Sequence, residues 1–263
     1  MSKYLSILLA GVVALSLQWA GYSHAQDKTM RLASLEWGPY VSSHMPDGGL
    51  TASAAKAIAS VAGYQLQIEH LPWSRAMQAG SDDPGYAGYF PAFYLPEREK
   101  QCYFSSPLGS STNGFAHLKK TAFHWKELSD LKDIKIGTVQ DYANDSYFDA
   151  LVRQGDLHTD VAPTDISNIR KLLAGRVQAI VIDKAVLRSL LINEPSLQQE
   201  KEQILFDEHE LTNFSLHICF QRNAKGKAMQ QAFNTAVAKV KLKQMENDYY
   251  QSLAAAPRHQ RLK

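Results

Sequence analysis

Apolar positions along this chain switch between a period of about two and a period of about three and a half, so strands and helices alternate. Met30–Leu35 reads as a strand, broken at Glu36-Trp37-Gly38-Pro39-Tyr40. Leu50, Ala54, Ala57, Ile58 and Val61 then recur on one helix face, with Gly63 as the stop. Tyr64–Glu69 alternates as a half-buried strand does, and Pro72-Trp73-Ser74-Arg75 opens a short helix. The acidic, glycine-bearing stretch Gly80–Gly85 predicts a loop leading into a central strand at Tyr86–Phe90. Further on, Lys126–Lys132 predicts a short helix and Ile134–Val139 a strand, followed by a helix through Tyr147, Phe148, Leu151 and Val152. Thr164 caps a helix whose core face is Ile166, Ile169, Leu172 and Leu173. Val177–Ile182 reads as a buried strand, with Asp183 directly after it and a helix from Lys184 to Ile192. A strand at Ser215–Phe220 and helices around Met229–Val240 and Gln244–Leu253 complete the pattern.

This alternation predicts an α/β fold with parallel or mixed sheets and helices on both faces. Ser110–Asn113 is Ser/Thr-rich and has no period, and the chain is read as turning again near Leu211–Phe214. These two breaks divide the pattern into two lobes.

One stretch carries the candidate chemistry. Tyr89–Pro107 opens as a buried strand, turns at Leu95-Pro96-Glu97-Arg98, and resumes as a short strand at Cys102–Phe104. Arg98 therefore follows the end of a buried strand, where open α/β sheets place their ligands. The alternative is a solvated surface arginine. Asp183 has the same position after its own strand, and the alternative there is a helix cap for the helix at Lys184. A guanidinium suits a carboxylate and a buried aspartate suits an ammonium, whereas Trp37 and Trp73 offer either ligand walls or core.

The ends and the composition narrow the picture. Lys3, the apolar run Leu5–Leu17 and the small residues of Ser23-His24-Ala25 read as a cleaved secretory signal over residues 1–25, with a mature chain from Gln26 in the periplasm. Lys and Arg number 28 against 26 Asp and Glu, so nothing in the charge calls for nucleic acid or an anionic membrane. The histidines show no ligand spacing, so neither a metal site nor a cofactor is expected. Cys102 and Cys219 are the only cysteines. In an oxidising compartment they form either a disulfide or two buried thiols, since sequence does not set their distance.

Several segments in order resemble the family 3 periplasmic solute-binding proteins of ABC importers, and most nearly the lysine/arginine/ornithine-binding type. They are Trp37-Gly38-Pro39-Tyr40, Gly48–Ser60, Trp73, Pro96–Pro107, Asp130–Gln140 and Ala174–Asp183. The resemblance implies a two-lobed type II binding-protein fold with two hinge crossings. Lobe 1 would span 26–112, lobe 2 would span 113–213, and 214–263 would return to complete lobe 1. It implies that Arg98 grips a ligand α-carboxylate and Asp183 takes the α-ammonium from the opposite lobe. Trp37 and Trp73 would enclose the side chain, the loop at Asp141-Tyr142-Ala143 would add backbone N–H groups, and Phe93 is a further candidate ligand contact. It implies a monomer, with a small amino-acid-like ligand and the membrane subunits of an importer as partners, and no catalysis. An orphan sensor subunit would share the cleft. A dehydratase-like enzyme on the same fold would use Glu36, Glu97 or Asp141 as acid or base.

The site departs from the family pattern. Phe90-Pro91-Ala92-Phe93-Tyr94 replaces a hydroxyl-rich strand end, Asp141-Tyr142-Ala143 replaces a Gly-Ser/Thr loop, and Ser34 stands where an acidic residue would meet a basic side chain. An aromatic or modified amino acid, or another small zwitterion, is expected over lysine or arginine.

Overall fold

The computed structural model describes residues 28–255. The signal reading on residues 1–25 and the tail from Pro257 lie outside the described residues. The elements are β1 (Thr29–Ser34), α1 (Leu50–Val61), β2 (Gln65–His70), α2 (Trp73–Asp82), β3 (Gly88–Phe93), β4 (Cys102–Phe104) and β5 (Gly109–Leu118). They continue as β6 (Lys135–Val139), α3 (Ser146–Gln154), β7 (His158–Ala162), α4 (Asp165–Leu173), β8 (Ala179–Asp183), α5 (Lys184–Asn193), β9 (Ile204–Gln221), α6 (Ala224–Val237) and α7 (Leu242–Ala255).

The strands hydrogen-bond in the order β2-β1-β3-β9-β5-β8-β6-β7, with β4 also on β9. The outer parts are parallel, β1 with β2 and β3 and β6 with β7 and β8. The middle is antiparallel, where β9 meets β3, β4 and β5 and β5 meets β8. The sheets are therefore mixed, as expected, and continuous through the long strands β5 and β9.

Side chains alternate across each strand, so each half packs helices on both faces. In the first half, Leu32, Phe90, Ile58, Phe220 and Phe233 form one core, while Ala33, Tyr89, Ala76 and Cys219 form another on the opposite face. In the second half, Ala116, Ile180 and Ile169 lie on one face and Phe115, Val181, Ile136 and Phe148 on the other.

Two expectations are corrected. The chain does not turn at Leu211–Phe214, and Ser110–Asn113 runs as regular strand. They lie inside β5 and β9 and pair directly, Ser111 with Phe214, Thr112 with Asn213 and Asn113 with Thr212. Backbone pairing satisfies this crossing without an apolar face, which is why the period is missing; the register shifts on either side of Gly114. Gly80–Gly85 is not wholly a loop, because α2 runs on to Asp82. Gly80 belongs to that helix since a Cβ there would stand 2.7 Å from the backbone carbon of Gly88, and its absence lets α2 lie against β3. His158–Ala162, for which the pattern predicted no element, forms the edge strand β7.

Cys102 and Cys219 form a disulfide with Cα atoms 5.4 Å apart, tying β4 to β9. Among the described residues no helix is long and apolar enough to cross a membrane.

Candidate functional site

The turn after β1 sets the first wall. Trp37 N–H donates to the Val41 carbonyl at 2.6 Å and Val41 N–H returns to Trp37 at 3.1 Å, closing a turn over Pro39. Leu50 N–H donates to the Pro39 carbonyl, and the Thr51 and Ala52 N–H groups donate to that of Tyr40. The turn thus satisfies the first donors of α1. Gly49 makes the approach possible: its φ is 99°, and a Cβ would stand 2.6 Å from the Tyr40 carbonyl oxygen. The Trp37 and Tyr40 rings are held 4.6 Å apart as a result.

Around this turn lies a cleft of about 320 Å³, part of it open to solvent. Its walls are Leu35, Trp37, Trp73, Pro91, Phe93, Arg98, Tyr142 and Ala143. Trp37 and Trp73 each meet Tyr142 edge-on at 6.5 Å, and Phe93 stacks on Phe214 at 4.3 Å. Arg98 is half-buried on the short 3-10 turn Pro96–Lys100 that follows β3. Among the described residues its guanidinium has no ion-pair or hydrogen-bond partner.

The two halves touch across this cleft. Trp73 Nε1 donates to the Asp141 carbonyl at 3.2 Å, and the Ser74 hydroxyl donates to the Asp141 carboxylate. Asp141 has φ 60°, a left-handed conformation that Asp tolerates better than most residues. Tyr142 Oη donates to Asp165 Oδ2 at 3.1 Å. Burial raises the Asp165 pKa to about 7, and the nearby Asp183 carboxylate adds to the rise. Among the described residues the buried Trp37 Nε1–H makes no well-formed hydrogen bond, although it lies near enough to Asp165 to favour that carboxylate's charged form.

Asp183 is 2 % exposed and fully engaged. Its Oδ1 accepts the Val186 N–H at 2.8 Å and so caps α5. Its Oδ2 accepts the hydroxyls of Tyr40 at 3.0 Å and Ser111 at 2.7 Å. Burial raises its pKa while these hydrogen bonds pull it down.

Of the residues singled out from sequence, the structure brings Trp37, Trp73, Phe93, Arg98 and Tyr142 to one cleft. It places Asp141 at the contact with Trp73 and Ser74, outside the cleft wall, and Asp183 beneath Tyr40, also outside it. The sequence carried no sign of a role for Leu35, nor for Tyr40, Ser111 and Asp165 in the polar network, whereas Pro91 lies in the apolar segment already singled out at the site. Asp165 reads from sequence as an ordinary first-turn acid after the Thr164 cap. Tyr40 was legible as a member of the aromatic-Gly-Pro-aromatic segment, without a sign that its hydroxyl would meet Asp183.

No protein-family model matches the chain, and no curated protein matches it in sequence. Solved structures match along most of its length. An ancestral arginine-binding protein bound to arginine is 18% identical, with a TM-score of 0.70, covering 86% of this chain and 97% of that one. The chain has the two-lobed fold of the periplasmic binding proteins. An amino acid ABC transporter substrate-binding protein from Streptococcus pneumoniae, bound to L-arginine, gives 18% identity and a TM-score of 0.67 over 85% of this chain and 95% of that one. A histidine kinase sensor domain with similarity to periplasmic binding proteins gives 14% identity and a TM-score of 0.71 over 84% and 96%. The two-lobed fold thus occurs in carriers of solutes and in sensors.

Proposed function

We propose that this protein is a periplasmic solute receptor that captures an amino-acid-sized carboxylate by closing two lobes, and delivers it as a monomer to the membrane subunits of an ABC importer. Among the described residues, lobe 1 comprises 28–112 and 214–255 and lobe 2 comprises 113–213, with β5 and β9 as the crossings. One observation carries the reading: Arg98 is a half-buried guanidinium with no partner among the described residues, set in a wall that is otherwise apolar and aromatic. A cation in such a place is stabilised by an anion that it can grip with a planar fork. Trp37, Trp73, Phe93 and Tyr142 supply faces for the rest of the solute.

A second reading keeps the cleft and changes the partner. The likeness to a histidine kinase sensor domain favours a subunit that reports the solute to a membrane receptor. Binding by the importer subunits or by a sensor kinase separates the two.

The test is a thermal-shift screen of carboxylate metabolites against wild type and Arg98→Ala, because a ligand raises apparent stability by mass action. Wild-type hits should be carboxylates, should vanish in the variant, and should shrink the radius of gyration in small-angle scattering. Hits that persist undiminished in Arg98→Ala overturn the reading.

A further inference from the structure

We infer that the solute carries an apolar body and no ammonium group beside its carboxylate. This rests on the reading above, that Arg98 holds the anion, and narrows the ligand class.

An α-ammonium brings three N–H donors that lose water on entering the cleft, and each needs an acceptor. Among the described residues, the carboxylates nearest the cleft already receive protein donors and lie outside its wall, and the two carbonyls beside it each receive one donor. Asp183 receives Tyr40, Ser111 and the Val186 N–H, and lies outside the wall. Asp165 receives Tyr142, whose side chain is itself part of the wall. The Asp141 carbonyl receives Trp73, and the Phe90 carbonyl at the end of β3 receives the Ser34 hydroxyl at 2.7 Å. Two phenol hydroxyls thus do for the buried aspartates what a ligand ammonium would otherwise do. The wall also presents Arg98, a like charge to any ammonium. Aromatic faces attract cations, but they accept none of the three N–H bonds that a primary ammonium must replace.

The experiment compares matched pairs by calorimetry on the full mature chain: 3-phenylpropanoate with phenylalanine, indole-3-propanoate with tryptophan, and 4-methylpentanoate with leucine. In at least one pair the des-amino acid should bind about a hundredfold or more tighter than its amino acid, as expected for an unpaired desolvated charge. Tyr142→Phe removes the donor from Asp165 directly behind the cleft wall and should narrow that gap. The wild-type comparison decides alone if this variant does not fold. An amino acid that binds as tightly as its des-amino partner overturns the inference. If Arg98→Ala then abolishes that binding, the reading of the cleft still stands; if it does not, both fall. Binding by no member of any pair also overturns the inference, while the wider carboxylate screen decides the reading separately.

Discussion

The Tyr40 hydroxyl donates to Asp183 Oδ2 at 3.0 Å, joining residues 143 apart in sequence and tying the turn after β1 to the end of β8. Because Asp183 also caps α5 and holds Ser111, it works as a structural joint between the two halves. Asp183→Ala removes the cap and leaves two buried hydroxyls without their acceptor. The expected loss is roughly 3 kcal/mol of unfolding free energy, measured by urea denaturation. A loss under about 1 kcal/mol would show that the joint is dispensable.

Asp165 should make stability depend on pH. Its folded pKa of about 7 stands above the roughly 3.9 of an unfolded aspartate, so the folded chain keeps a proton that the unfolded chain releases. This contribution is full below about pH 4, declines as pH rises toward 7, and is level beyond, with a slope of at most about 1.4 kcal/mol per pH unit. Asp165→Asn imitates the protonated acid and should flatten the slope. Comparing the two chains isolates Asp165 from His217, whose burial lowers its pKa and acts in the opposite sense. Parallel pH profiles for wild type and variant would refute the assignment.

The Cys102–Cys219 bond closes a sequence separation of 117 residues. Replacing both by alanine should cost about 2–5 kcal/mol, chiefly by freeing the unfolded chain. Denaturant midpoints with and without reductant check this. Thiol titration of the unfolded, unreduced chain should find no free thiol.

Arg98 should be replaceable by neither alanine nor lysine. Loss of the guanidinium leaves the solute's anion unpaired in the cleft, which is about a hundredfold or more in affinity. Lysine keeps the charge but lacks the fork, so most of that loss should remain. Titration calorimetry with a hit from the carboxylate screen measures both, and near-wild-type affinity for Arg98→Lys would show that only the charge matters.

Much of the architecture was legible because it depends on local periods. The face Ile166, Ile169, Leu172 and Leu173, the Thr164 cap and the apolar run ending at Asp183 each follow from side chains a few residues apart. Arg98 and the aromatics at Trp37, Trp73 and Phe93 were also legible, since each stands at the end of an element or in a break. The crossing strands were not. At Ser110–Asn113 the backbone of a distant partner supplies the order, and no local period records it.

By itself, then, the sequence determined the order of strands and helices, the mixed α/β class and a guanidinium placed beside aromatics. Only the tertiary structure shows which protein donors Asp183 receives. A carboxylate after a buried strand suits a ligand ammonium or a helix cap equally well from sequence. The choice depends on which donors arrive from elsewhere in the chain, and here the hydroxyls of Tyr40 and Ser111 arrive with the Val186 N–H. The bond between Cys102 and Cys219 was settled in the same way, because a distance across 117 residues is a property of the packed sheet and not of either strand.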